Sequence, residues 1–173
     1  MRVAIIGGGV MGLSCAWQLL QQQDIEITLF NDPDKPAASY FAGGMLAPFS
    51  ESDTLSAQLQ SLAVEQTIPF WQQISGQLGT FFQQKPTLVV AHPLDEALLK
   101  RFAKALPKSA YDELSAAEIH AQEAKLDQQF RHALRVNGEA FLNTQQLLDA
   151  MIASIKQHAD WQNKAVQAEQ LHG

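Results

Sequence analysis

Three glycines stand at a spacing suited to holding a diphosphate. Gly7, Gly9 and Gly12 sit in Gly7-Gly8-Gly9-Val10-Met11-Gly12, directly after the apolar run Arg2-Val3-Ala4-Ile5-Ile6. Gly-x-Gly-x-x-Gly between a strand and a helix places open backbone N–H groups and the positive end of a helix dipole before a phosphate. Gly7 permits the turn out of the strand, Gly9 lets a pyrophosphate approach the backbone, and Gly12 lets helix and sheet pack closely. The dipole is worth roughly 0.3–1 kcal/mol, or about 2 when partly buried, so its main effect is placement. A carboxylate is expected about 20 residues further on, to meet a ribose hydroxyl. Asn31-Asp32 stands there. Asp32 can fill the role, Asn31 can fill it as a neutral amide, or Asn31-Asp32-Pro33-Asp34 is only a turn.

No second centre of chemistry stands out. Cys15 is the single cysteine, which rules out an internal disulfide, fits a cytoplasmic setting and reads as a small core residue. The five histidines have no metal-ligand spacing with Cys, Asp or Glu, so no metal is expected. Ser14 lies in the phosphate helix and not on a nucleophile elbow.

These residues must be positioned by ordinary elements. The chain has 173 residues, a 46% hydrophobic fraction and a net charge of −6, enough for one folded domain and a poor match to nucleic acid or anionic membrane. No apolar run is long enough to span a membrane, and the N-terminus does not read as a signal peptide. Val10, Leu13, Trp17 and Leu20 share a helix face. Ile25 to Phe30 reads as the second strand. A loop from Pro33 to Pro48 follows, with Gly43 and Gly44 marking bent or closely approached backbone. A long helix is expected from about Asp53 to Gln77, buried through Leu55, Leu59, Leu62, Ile68 and Trp71 and kinked at Pro69.

The later part changes character. Thr87 to Ala91 is a strand, and Leu94, Leu98 and Phe102 mark one face of the next helix. Ser115 to Glu118 is a capping box. Ala133–Val136 and Glu139–Leu142 read as a hairpin around Asn137-Gly138. Asn143 or Thr144 caps a helix with Leu147, Leu148, Met151, Ile152 and Ile155 inward. Ala165 to Leu171 reads as a last strand. So few strands leave a thin sheet with an exposed edge, and the sequence reads as the first half of a larger molecule.

Four stretches resemble the amine-oxidising flavoprotein family that includes D-amino-acid oxidase, sarcosine oxidase and glycine oxidase. They are Val3 to Trp17, the strand ending Leu29-Phe30-Asn31-Asp32, Ala38 to Pro48, and Val136 to Asn143 with the helix and strand after it. The third is the most specific: its Ala-Gly-Gly-Met-Leu bend is similar to the flavin-contacting loop of glycine oxidases of the thiamine pathway. The resemblance implies FAD as cofactor. It implies that Gly7, Gly9, Val10, Met11 and Gly12 line the pyrophosphate, and that Asn31 or Asp32 meets the ribose. Ala38 and Ser39 would follow the linker, Gly43, Gly44 and Met45 would border the isoalloxazine, and Val166 would present backbone to the adenine. Asn31 occupies the slot where the family usually has an acid.

The resemblance further implies an α/β fold: a Rossmann-like FAD-binding βαβ portion over 1–80, part of an interleaved α+β substrate domain over 81–145, and a return to the first domain over 146–173. The implied activity is flavin-dependent oxidation of glycine or another small amino acid to an imine. The substrate-gripping arginine would lie beyond this chain, so no catalytic residue is named, the chain alone is expected to be inactive, and a C-terminal half or a homo-oligomer is an expected partner. A non-catalytic nucleotide-binding remnant and a nicotinamide-dependent dehydrogenase are the alternatives.

Overall fold

The computed structural model describes residues 1–51, 56–126 and 129–167. In chain order the elements are β1 (Arg2–Ile6), α1 (Val10–Leu19), β2 (Glu26–Asn31), β3 (Met45–Leu46), α2 (Ala57–Leu62), α3 (Ile68–Leu78), β4 (Phe82–Gln84) and β5 (Thr87–Val90). They continue with α4 (Glu96–Ala105), β6 (Tyr111–Ser115), α5 (Ala116–Gln122), β7 (His132–Val136), β8 (Ala140–Leu142), α6 (Thr144–Ile155) and β9 (Asp160–Asn163). The chain divides into two compact units. The first is Met1–Gly44, Ser75–Phe81 and Leu142–Gly173; the second is Met45–Ile74 and Phe82–Phe141. The expected 1–80 span is thus shared between the units from Met45 onward.

The first unit is a parallel sheet of order β1-β2-β9. β1 and β2 pair with Ile5 opposite Leu29 and Ile6 opposite Phe30. Parallel neighbours need a crossover, and α1 supplies it. α1 buries Leu13 and Ala16 completely. Cys15 is exposed, contrary to the expected core position, because Leu13 and Ala16 set the inward face of α1 and Cys15 lies off it. α6 packs against α1 and the 38–41 turn. It begins at Asn143, whose side chain accepts the Gln146 N–H at 3.0 Å. Leu147, Leu148, Met151 and Ile155 are its buried face, and burial of each such side chain stabilises by about 1.5–3 kcal/mol. β9 runs Asp160–Asn163, earlier than the expected strand from Ala165. Residues 165–167 have no regular structure, and the rest of that expected strand lies outside the described residues.

In the second unit, β5-β7-β6 form one antiparallel sheet and β3-β8-β4 another. β7 and β8 therefore belong to different sheets, and the expected hairpin does not form. Gly138, at φ +76°, does turn the chain, but the turn passes it from one sheet to the next. The Asn137 N–H is bound to the Ala110 carbonyl at 2.7 Å, and β8 pairs with β3 instead. The expected helix from Asp53 is described from Ala57; Asp53 and Leu55 lie outside the described residues. It is interrupted by a π turn at Ala63–Thr67. Pro69 has no N–H to offer the Glu65 carbonyl, so the ladder rearranges, and the Ile68 N–H reaches back to Ala63. The rearrangement changes the phase. Ile68, Trp71 and Ile74 are buried, whereas Leu59 and Leu62 are exposed and Gln60 turns inward. On α4 the inner face is Leu99 and Ala103, with Phe102 beside them. Leu94 and Leu98 are exposed, because a short turn at Pro93–Asp95 delays the helix start and shifts its phase. The capping box at α5 forms as expected.

Candidate functional site

The first unit gathers the glycine turn, Asn31 and the Ala37–Tyr40 stretch. The turn leaves β1 with the Gly7 N–H on the Phe30 carbonyl at 2.8 Å. The Gly8 N–H donates to Asn31 Oδ1 at 3.2 Å. The Val10 N–H donates to Ser39 Oγ at 3.1 Å. Asn31 and Ser39 thus hold the turn from two sides. Among the described residues, the N–H groups of Gly9, Met11 and Gly12 meet no protein acceptor. Three open donors at a helix start can cradle an anion. A side chain at Gly12 would collide with the Gly7 carbonyl oxygen and crowd Ile5 Cγ2 at 3.3 Å, so helix and turn fit here only with glycine. A Cβ at Gly9 would stand 3.2 Å from Ala37 Cβ and 3.5 Å from Ser39 Oγ, filling the gap between turn and loop. The residues present therefore fit a dinucleotide's diphosphate. The Met11 side chain is exposed.

Beside the turn lies a cleft of about 230 Å³, lined by Gly8, Asn31, Asp32, Lys35, Ala37 and Tyr40 among others. Asp32 is partly engaged in it. Its Oδ1 accepts the Asp34 N–H at 3.0 Å, and Oδ2 lies 3.7 Å from Lys35 Nζ. The stretch thus does form a turn, while Asn31 and Asp32 both border the cleft.

The Ala38–Phe41 turn is tied to α6. Tyr40 Oη donates to Asp149 Oδ1 at 2.7 Å, and Thr144 Oγ1 donates to the Ala42 carbonyl at 2.9 Å. Burial, the bond to Asp149 and that carboxylate's negative charge push the Tyr40 phenol up to about 12. Gly44, at φ +73°, closes this segment. A Cβ there would run into the Leu142 carbonyl oxygen, so only glycine fits, whereas Gly43 faces open space. A second hollow, of about 510 Å³, is lined by Tyr40, Phe41, Gly43, Leu142 and Thr144 among others. Val166 is half-buried in the irregular stretch after β9.

Met45 opens the second unit. It is half exposed and paired with Phe141 across β3 and β8. A hollow of about 430 Å³ in that unit, bordered by Leu99, Lys100, Tyr111 and Leu134, contains no motif residue. Arg135 there is bound to Asp112, with its Nη2 2.8 Å from Oδ2. Among the described residues no group of three His, Cys, Asp or Glu is arranged to hold a metal, and no helix is long and apolar enough to cross a membrane.

The sequence points to Asn31 and Ser39 but gives no role to Gly8 or Tyr40, although both lie inside the resembling stretches.

The profile of the FAD dependent oxidoreductase family, DAO, matches residues 2–169. A putative thiamine biosynthesis oxidoreductase, ThiO, from Rhizobium etli is 35% identical over 158 residues, covering 90% of this chain and 46% of that protein. Among solved structures, glycine oxidase from Geobacillus kaustophilus matches with a TM-score of 0.76 at 23% identity, over 92% of this chain and 46% of that one. L-α-glycerophosphate oxidase from Mycoplasma pneumoniae, with FAD bound, matches with a TM-score of 0.76 at 18% identity, over 97% of this chain and 47% of that one. These two structures share the fold, and the chain spans about half the length of each of the three relatives. The chain belongs to the FAD dependent oxidoreductase family, DAO, whose profile it matches from residue 2 to residue 169.

Proposed function

We propose that this chain holds the dinucleotide part of FAD and is a portion of an oxidoreductase that converts the amine of glycine or a similar small amino acid to an imine. The observation that carries this is the glycine turn, braced by Asn31 and Ser39, with the Gly9, Met11 and Gly12 N–H groups open. In this reading those N–H groups bind the diphosphate. Asn31 uses Oδ1 on Gly8, which leaves its amide N–H donors for a ribose hydroxyl, with Asp32 as the neighbouring alternative. Ala38 and Ser39 run beside the linker, Gly43, Gly44 and Met45 border the ring, and Val166 offers backbone to adenine. When bound, FAD supplies the hydride-accepting chemistry, and the chain supplies orientation and electrostatics.

The substrate range is taken from the glycine oxidase and ThiO relatives. The segments 1–80 and 146–173 serve the cofactor in this reading, and 81–145 serves the substrate. A cytoplasmic location and a requirement for a C-terminal half or a second copy belong to the same proposal. Arg135 is engaged with Asp112 and is not offered as a substrate clamp. The isolated chain is therefore expected to bind FAD without turning over.

The test has two steps. The chain is incubated with FAD, freed of excess and denatured, and the released cofactor is identified by absorbance. A flavin spectrum supports the reading; a nicotinamide spectrum or no cofactor overturns it. Peroxide release is then measured with glycine, sarcosine and D-alanine, with and without the remainder of a ThiO-type relative. Turnover only with that remainder supports the division of labour, and turnover by the chain alone contradicts it.

A further inference from the structure

The second unit contains a buried carboxyl that the cofactor cradle does not use. Glu139 is 1% exposed. Its Oε1 accepts the Ser50 N–H at 2.7 Å, and its Oε2 accepts the Ser50 hydroxyl at 2.9 Å. Its backbone carbonyl accepts the Lys85 N–H at 3.2 Å. Among the described residues no salt bridge reaches it. A carboxyl buried without a cation is costly unless its oxygens are hydrogen-bonded, and here both are satisfied by one residue.

The placement of that residue gives the bond its meaning. Ser50 follows β3 closely, and Glu139 immediately precedes β8, the partner of β3. β3 has only two residues, so the pairs Met45–Phe141 and Leu46–Ala140 are a weak guarantee of register. A slip of one residue would turn Met45 to the opposite face of the sheet. The Ser50–Glu139 bonds hold the same two segments at a second point, beyond the end of β3, and a slip would break them.

We propose that Glu139 is a positioning residue, which fixes the register of β3 through Ser50 and thereby the face that Met45 presents. Its consequence for a flavin rests on the proposed reading of Met45 as a ring neighbour. Both bonds lie inside one unit, and neither residue is a proposed cofactor contact.

The test compares the wild-type chain with Glu139→Ala, Glu139→Gln and Ser50→Ala. Hydrogen exchange of the backbone amides over 45–51 is read without cofactor, and the flavin's visible band shape after FAD is added. Glu139→Ala should speed exchange over 45–51 by about tenfold or more, leaving α4 and β5–β7 unchanged. Glu139→Gln keeps the shape, an acceptor for the Ser50 N–H and a donor for its hydroxyl, and should restore most of the protection and the wild-type band. Ser50→Ala retains the backbone bond, should fold normally and should speed exchange by roughly threefold. If Glu139→Ala does not fold, Ser50→Ala decides: acceleration confined to 45–51 supports the clamp, and wild-type exchange overturns it. Unchanged exchange in Glu139→Ala, or equal acceleration throughout the second unit, also overturns it. If the wild-type chain takes up no FAD, the functional reading fails while the clamp is still judged by exchange. If FAD binds and the band is unchanged in a loosened variant, the link to the ring fails.

Discussion

Ser39 Oγ accepts the N–H of Val10 at 3.1 Å, across 29 residues of sequence. This bond ties the loop after β2 to the first turn of α1, where a diphosphate would rest. Ser39→Ala removes the acceptor and leaves a helix-terminal N–H without its partner. The variant should lose about 1 kcal/mol of stability in urea unfolding. Its FAD dissociation constant, read by flavin fluorescence, should rise about fivefold, equivalent to roughly 1 kcal/mol.

Gly12 and Gly9 should fail in different ways. At Gly12 an added methyl meets the Gly7 carbonyl oxygen, which cannot move without opening the turn. Gly12→Ala should destabilise the chain by about 1–3 kcal/mol and abolish FAD binding. At Gly9 the neighbours are the Ala37 and Ser39 side chains, and the backbone φ of −84° is ordinary. Gly9→Val should therefore keep the β1–β2 sheet by circular dichroism yet lose FAD. Full FAD affinity in Gly9→Val would overturn the placement of the phosphates.

Tyr40 gives a pH dependence with a definite sign. Its phenol titrates at about 12 in the folded chain, against 10.0 for the ordinary group. The folded state therefore holds this proton more tightly than the unfolded state. The stability it contributes is fully present below pH 10 and is lost as pH rises toward 12. The difference in phenolate absorbance between wild type and Tyr40→Phe should show one late-titrating tyrosine. Asp149→Asn removes the carboxylate charge beside it and should shift that titration downward.

Ser115 provides a contrast in the second unit. Its N–H and hydroxyl both donate to Glu118 Oε2, at 2.8 and 2.6 Å, and these bonds hold the Glu118 carboxyl below its usual range. Ser115→Ala should cost about 1 kcal/mol in urea unfolding through the lost cap. Its FAD affinity should equal that of the wild type, because Ser115 is none of the proposed cofactor contacts and its bonds stay within the start of α5.

The sequence made β1, α1 and β2 legible because a short apolar run, a glycine turn and a helical stripe all point the same way. β9 is not legible in the sequence because Asp160-Trp161-Gln162-Asn163 has little strand character of its own; pairing with β2 makes it a strand. Asn137-Gly138 has good hairpin chemistry, but a turn sets only the local bend, and the neighbouring strands chose different partners. The buried face of α4, Leu99 and Ala103, is hard to read because the short turn before Glu96 moves the start of its periodicity. In the site, Asn31 could be found by counting from the glycines. Glu139 and Ser50 could not be paired, because 89 residues separate them and neither type is distinctive.

β1 ends its sheet, with β2 on one side and no described strand on the other. Its Ile6 is 52% exposed. An unpaired ladder bearing an apolar residue is a template on which another chain can add. Concentrating this polypeptide by itself should therefore favour edge-to-edge association, and a charged residue in place of Ile6 is the natural remedy when a monodisperse sample is needed.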